Sequence, residues 1–225
     1  MKNSIGIKNE STLHRTLKFR YVGTGGKTEE IIEGFVADGV CESGEIIEVQ
    51  TGNFAPLVKK LGQFSKLAKV RIIHPIAVTK IIETYSNDGS LISRRKSPKR
   101  GSVWSIFDVL IYTPELPLTK NVVIEVVLAD ITEKRVKIGK RGKRRRETSV
   151  FDKELSVWHE KILFAKKADY LRFIPFGKGE KFTTSGFAKK AEINIDMARK
   201  AVYVLVKMNV VKRIGKDKQA WVYAR

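Results

Sequence analysis

Three short runs rich in β-branched residues, at 30–41 (EIIEGFVADGVC), 45–51 (EIIEVQT) and 69–78 (KVRIIHPIAV), are interleaved with two amphipathic stretches of helical period. That alternation constrains the fold more than any other feature, because striped helices and apolar-faced strands bury their surfaces by stacking in layers. The first stretch, 11–22, places Leu13, Leu17 and Tyr21 four residues apart and sets Glu10, His14 and Lys18 on another face. Gly23, Gly25 and Gly26 end it, since glycine tolerates the backbone that terminates a helix. The second, 54–67, carries Leu57, Leu61 and Phe64 on one side, with Pro56 tolerated in its first turn. Glu42-Ser43-Gly44 reads as a hairpin turn between the first two strands. Helix, hairpin, helix, strand predicts an α/β domain whose mixed sheet is partly antiparallel and flanked by helices. A second hairpin at 80–85 and 90–95 around Asn87-Asp88-Gly89, a basic loop at 93–101, and apolar segments at 103–111 and 122–128 complete a first domain over 1–132.

Charge then narrows the class of partner. The formal net charge of +20 exceeds what solubility needs and points to a polyanion, nucleic acid first. With 42% hydrophobic residues in 225, the chain can bury one large core or two small ones, which excludes wholesale disorder. No apolar run reaches the roughly 18 residues of a membrane span, and MKNSIGIKNE has no apolar stretch or cleavage site of a signal peptide. The single Cys41 makes neither an internal disulfide nor a CxxC zinc site. A cytoplasmic protein is expected. Against the basic background, residues 1–50 hold eight carboxylates and six Lys and Arg, an acidic island that a phosphate ligand tolerates only with a cation in between. Residues 133–147 hold nine Lys and Arg, including Arg144, Arg145 and Arg146, and predict a basic connector over 133–150 that contacts phosphates.

The last segment, 151–225, reads as a helical linker and a small DNA-binding unit. Phe182-Thr183-Thr184-Ser185 opens a short helix at 186–192 with Thr184 or Ser185 as its hydroxyl cap, Ile193-Asn194-Ile195 turns the chain, and 196–208 is a longer helix with Ala198, Val202, Leu205 and Val206 inward. Strands at 210–214 and 220–224 follow around Gly215-Lys216-Asp217-Lys218, with 172–176 closing the small sheet or leading into it. This order resembles a winged helix-turn-helix. The resemblance implies duplex DNA as partner, Arg199 and Lys200 facing the groove, and Lys212, Arg213, Lys216 and Lys218 on the wing against phosphates. From Lys181 onward eleven cations face three anions; docking of a protein is the alternative use of such a unit.

Within the acidic island, Asp38 lies on one strand and Glu48-Val49-Gln50 on the next, so pairing brings Asp38 beside Glu48 and alternation puts Glu48 and Gln50 on one face. Two convergent carboxylates suit Mg²⁺, a hard cation that keeps waters able to attack a phosphodiester. Over about residues 8 to 80 this pattern resembles the PD-(D/E)XK nucleases, the restriction-endonuclease-like superfamily. The resemblance implies a metal-dependent DNA endonuclease in which Asp38 and Glu48 hold Mg²⁺ or Mn²⁺, Glu10 assists from the first helix, and Gln50 fills the slot usually held by lysine. It also implies a homodimer or a partner protein. Glutamine carries no charge, and His14 or Lys18 are the groups placed to supply what it lacks. The chain is similar, too, to a bacterial protein family with an E-x-x-L-H helix (Glu10 to His14), an I-E-V-Q-T-G-N-F run (Ile47 to Phe54) and a C-terminal winged helix, which brings a fold and no activity. A non-catalytic DNA-binding protein or transcription factor, with the acidic strands as structure alone, is the competing reading; an RNA-binding protein rests on charge alone. His74 and His159 stand in no metal-ligand spacing and read as structural or surface residues.

Overall fold

A computed structural model describes residues 10–138 and 148–225. Its architecture is mixed α/β, a seven-stranded mixed sheet flanked by helices on both faces. The chain opens with helix α1 (Thr12–Val22), capped by the Ser11 hydroxyl, and enters a hairpin of β1 (Lys27–Ile32) and β2 (Phe35–Val40). The run expected as one strand at 30–41 is therefore divided. Glu33 and Gly34 both take positive φ, 49° and 75°, the two-residue turn whose twist matches that of the flanking strands. Strand β3 (Ile46–Val49) pairs antiparallel with β2, and α2 (Val58–Leu67), after a 3-10 turn at Ala55–Leu57, crosses over to β4 (Val70–Tyr85), parallel to β3. Next come β5 (Leu91–Lys96), the short α3 (Phe107–Leu110), β6 (Val122–Lys137) parallel to β4, and β7 (Thr148–Phe164) antiparallel to β6.

Two layers of apolar contacts hold the sheet. On one face Leu13, Leu17 and Val22 of α1 meet Ile47, Val49, Ile73, Val127, Ala129 and Ile131. On the other, Phe54, Leu61, Phe64, Phe107 and Leu110 meet Ile46, Val70, Ile72, Ile124 and Val126. Strands β4 and β6 outrun these layers. Their distal halves, joined by β5 and the first half of β7, form a four-stranded arm whose β5 is exposed throughout.

This topology corrects the expected boundaries. The large sheet does not stop at 132: Glu133 to Lys137 pairs with Thr148 to Lys153 across one register shift, so the described parts of the expected connector, 133–137 and 148–150, are strand. Residues 151–164, expected as helical linker, are strand, and the 93–101 loop begins only after Lys96, since Ser93 to Lys96 pair with β4. Arg144, Arg145 and Arg146 lie outside the described residues.

The C-terminal unit comprises β8 (Lys181–Thr183), α4 (Thr184–Lys190), α5 (Ile195–Lys207), β9 (Lys212–Asp217) and β10 (Ala220–Ala224), in a three-stranded sheet of order β8-β10-β9. Strand β8 closes that sheet and 172–176 leads toward it, its first two residues ending the 3-10 turn Lys167–Phe173. The α4 cap is Thr183, whose hydroxyl accepts the Gly186 N–H at 3.1 Å, one residue before the expected Thr184 or Ser185. Phe187, Ala198, Val202 and Leu205 belong to the same apolar cluster as α2 and α3, and Trp104 packs against both Phe173 (4.9 Å) and Phe187 (6.0 Å).

Candidate functional site

Strands β2 and β3 are paired over two rungs only, Gly39 with Ile47 and Val40 with Ile46. Where they part, side chains take the place of the missing ladder. The Asp38 carboxylate accepts the Val49 N–H at 2.7 Å, and the Asp38 N–H points at the Glu48 carboxylate at 3.4 Å. Buried amides need such partners, so the two acids are fixed in place by the backbone they satisfy. Glu48 is only 2% exposed and pairs with Lys60 of α2 at 2.7 Å. On the opposite side, α1 lays His14 between two carboxylates, Nδ1 to Glu10 at 2.5 Å and Nε2 to Asp38 at 3.3 Å. Lys18, one turn on, reaches Glu10 at 2.8 Å and also pairs with Glu29. Gly39 lets α1 lie this close: a Cβ there would sit 2.3 Å from Val22 Cγ2.

The structure thus brings Glu10, Asp38 and Glu48 into one chain of charge, Glu10–His14–Asp38 beside Glu48–Lys60. Gln50 stands apart. Its Nε2 donates to the Asn53 carbonyl at 2.5 Å and its own carbonyl accepts from His74 Nδ1 at 2.6 Å, so it braces the loop after β3. His74 is structural, buried against Phe54, with burial pushing its pKa down to about 4. His159 pairs with Asp130 at 3.0 Å at a bulge between β4 and β6. Lys60 is the participant that sequence reasoning missed. It lies twelve residues from Glu48 on the polar side of an amphipathic helix, where no spacing rule marks it.

Electrostatics separates the two central acids. Burial, then the nearby Asp38 charge, raises the Glu48 pKa to about 7 against the pull of Lys60. Burial would raise Asp38 as well, yet the hydrogen bond and charge of His14 and the Val49 N–H bring it below the ordinary carboxylate range. Burial opposes protonation of His14, but Asp38 and Glu10 together raise its pKa. Lys18 and His14 likewise lower Glu10 against its own burial. The raised pKa values of Glu48 and His14 contribute stability that is full below the values these groups have when unfolded, 4.5 and 6.5, and is lost as pH climbs through the folded ones. The lowered Asp38 and Glu10 act oppositely and lose their contribution in acid. Metal-free protein is therefore expected to be most stable near pH 5 to 6 and to lose about 2 kcal/mol from there to pH 8 through Glu48 alone. Urea denaturation across that range checks this; a Glu48→Gln variant that keeps the full decline would assign it elsewhere.

Asp38 and Glu48 are the candidate donors for a hard divalent cation. Asp38 and Glu48 press like charges together, and Mg²⁺ characteristically uses one or two carboxylates and fills its remaining positions with water. No group of three or more His, Cys, Asp or Glu side chains arranged to hold a metal occurs among the described residues.

In the C-terminal unit, Arg199 is 67% exposed and pairs with Asp196, while Lys200 bonds Asp108 of α3 at 2.6 Å, tying α5 to the main sheet's helical layer. Lys212, Arg213 and Lys216 are exposed on β9 and Lys218 in the following turn. Arg213 and Lys216 lie over the Trp221 ring, at 4.2 and 4.5 Å. No helix among the described residues is long and apolar enough to cross a membrane.

Comparison with known proteins extends the description. A protein of Treponema pallidum (strain Nichols), described as an uncharacterized protein, is 34% identical over 104 residues. The match spans 46% of this chain and 41% of that relative, so this chain covers less than half of its length. No solved structure matches. The model of the family described as Domain of unknown function (DUF8091) matches residues 11–165, from the cap of α1 to one residue past β7, and the chain belongs to that family.

Proposed function

We propose that the chain is a metal-dependent DNA endonuclease, with a PD-(D/E)XK-like site on the large sheet and a C-terminal winged helix-turn-helix that grips duplex DNA. The observation that carries the reading is the pair Asp38 and Glu48, held by backbone amides where β2 and β3 diverge, with burial first and the Asp38 charge second raising Glu48 to about 7. A carboxylate pair that crowded is relieved by a divalent cation, and Asp38 and Glu48 are the residues to hold it. When bound, Mg²⁺ or Mn²⁺ supplies Lewis acidity toward the phosphodiester and lowers the pKa of nearby water. Lys60, paired with Glu48, would contribute the positive charge that Gln50 lacks. His14, bridged to Glu10, orients Asp38. The winged-helix part rests on the order α4, turn, α5, hairpin β9–β10 and on its exposed cations; because Lys200 is engaged with Asp108, Arg199 and the wing residues Lys212, Arg213, Lys216 and Lys218 carry the DNA contacts.

A second reading has its own support. The two carboxylates already satisfy backbone amides, as purely structural acids would, which favours a DNA-binding protein without catalysis. Incubation of purified protein with plasmid, branched and single-stranded DNA, in Mg²⁺, Mn²⁺ or chelator, decides between them. Cleavage that needs the metal is expected; binding without cleavage on every substrate would transfer the site to the second reading.

A further inference from the structure

The register of the arm sorts its charges by face. On β6, Ile131, Glu133, Arg135 and Lys137 alternate onto one side. Their partners carry Lys80 and, across Ile82, Arg95 on β4 and β5, and Lys153 on β7. By register, these five cations share one carboxylate among the described residues, Glu133, which is 4% exposed and already pairs with Lys80 at 3.4 Å and Arg135 at 2.5 Å. Arg95, Lys137 and Lys153 make no ion pair among the described residues. The reverse side is balanced: Arg94 pairs with Glu83 at 3.1 Å and Lys134 with Glu154 at 2.5 Å, leaving Lys96 over. Asp152, on the outer strand, is taken up by Thr12 at the start of α1.

The basic side is also the side on which α1 lies, because Ile131 packs under Leu13 and Leu17. It therefore continues outward from the end of α1 that bears His14. Strands sit about 4.8 Å apart and alternate residues on one strand about 6.8 Å apart, so the cations form a two-dimensional grid of the scale of a sugar-phosphate backbone. We infer that this face of the arm, Lys80, Arg95, Arg135, Lys137 and Lys153, is a phosphate-binding track that guides duplex DNA toward the Asp38–Glu48 site. The inference rests on the proposed nucleic-acid partner and is independent of whether cleavage occurs.

Anisotropy titrations of a fluorescent DNA duplex over a range of salt test it with two double variants of the full chain that remove equal charge from opposite faces, R95A/K153A and R94A/K96A. Each phosphate contact contributes about 0.9 to the slope of log K against log salt. The expected result is a slope shallower by about 1.8 for R95A/K153A and unchanged for R94A/K96A, with thermal melting of both near wild type. Equal slopes for the two variants, or a wild-type slope in R95A/K153A, would overturn the track while leaving DNA binding in place. Absence of duplex binding by the wild type would overturn the DNA reading itself, and the track with it.

Discussion

Glu48→Gln is expected to abolish metal-dependent cleavage while leaving a folded protein that still binds duplex DNA. The substitution is nearly isosteric. Its carbonyl oxygen still accepts the Asp38 N–H, so the junction between β2 and β3 keeps that bond, and the buried charge whose ionisation costs stability near pH 8 is gone. What it removes is one of the two carboxylates proposed to hold the cation. Loss of metal-derived transition-state stabilisation amounts to several kcal/mol, so single-turnover cleavage should fall by about a thousandfold. Duplex affinity should move by less than about threefold, since the cations proposed to bind it lie elsewhere. Retention of cleavage within a few-fold of wild type would remove Glu48 from the chemistry.

Phe173→Ala is expected to cost about 3 to 5 kcal/mol of unfolding free energy, a large share of the roughly 5 to 15 available to a domain. Phe173 is 2% exposed and joins four rings: Phe107 of α3 at 4.7 Å, Trp104 at 4.9 Å, Phe164 at the end of β7 at 5.7 Å, and Tyr170 at 6.3 Å. Truncation leaves a cavity where the large sheet, the α3 layer and the C-terminal unit meet. Trp104 borders that cavity, so its fluorescence should shift to longer wavelength in the folded variant. Urea unfolding checks the size; a loss under about 1 kcal/mol would mean that the two units are joined by other contacts.

The elements nearest the candidate site were legible because each obeys one period. Leu13 and Leu17 mark α1, Leu61 and Phe64 mark α2, and Glu42-Ser43-Gly44 places Asp38 opposite Glu48. The chain was misread where two periods coincide. Phe151, Leu155, Trp158 and Ile162 recur at helical spacing, yet these residues belong to β7, whose register slips against β6 at three places and so breaks strict alternation. Tertiary pairing with β6 decides the outcome there. The basic segment misled for a related reason: Lys134, Arg135 and Lys137 read as part of a basic connector because charge hides the strand beneath, and only the pairing with Thr148 to Lys153 shows two antiparallel strands. Lys60 was invisible because contact across a helix–sheet interface leaves no spacing signature, whereas His14 was found from its place one turn after Glu10.

The parallel ladder between β4 and β6 joins Val70 to Val122 and runs on to Tyr85 with Val136. Partners so far apart along the chain pay the entropy of closing a long loop before the first rung forms, and nothing local substitutes for it. Assembly of the sheet should therefore be slow, on the millisecond-to-second scale of proteins dominated by distant pairings. During synthesis, β4 must wait with an open edge until β6 has emerged, and in that interval the nascent chain is most exposed to mispairing with a neighbour.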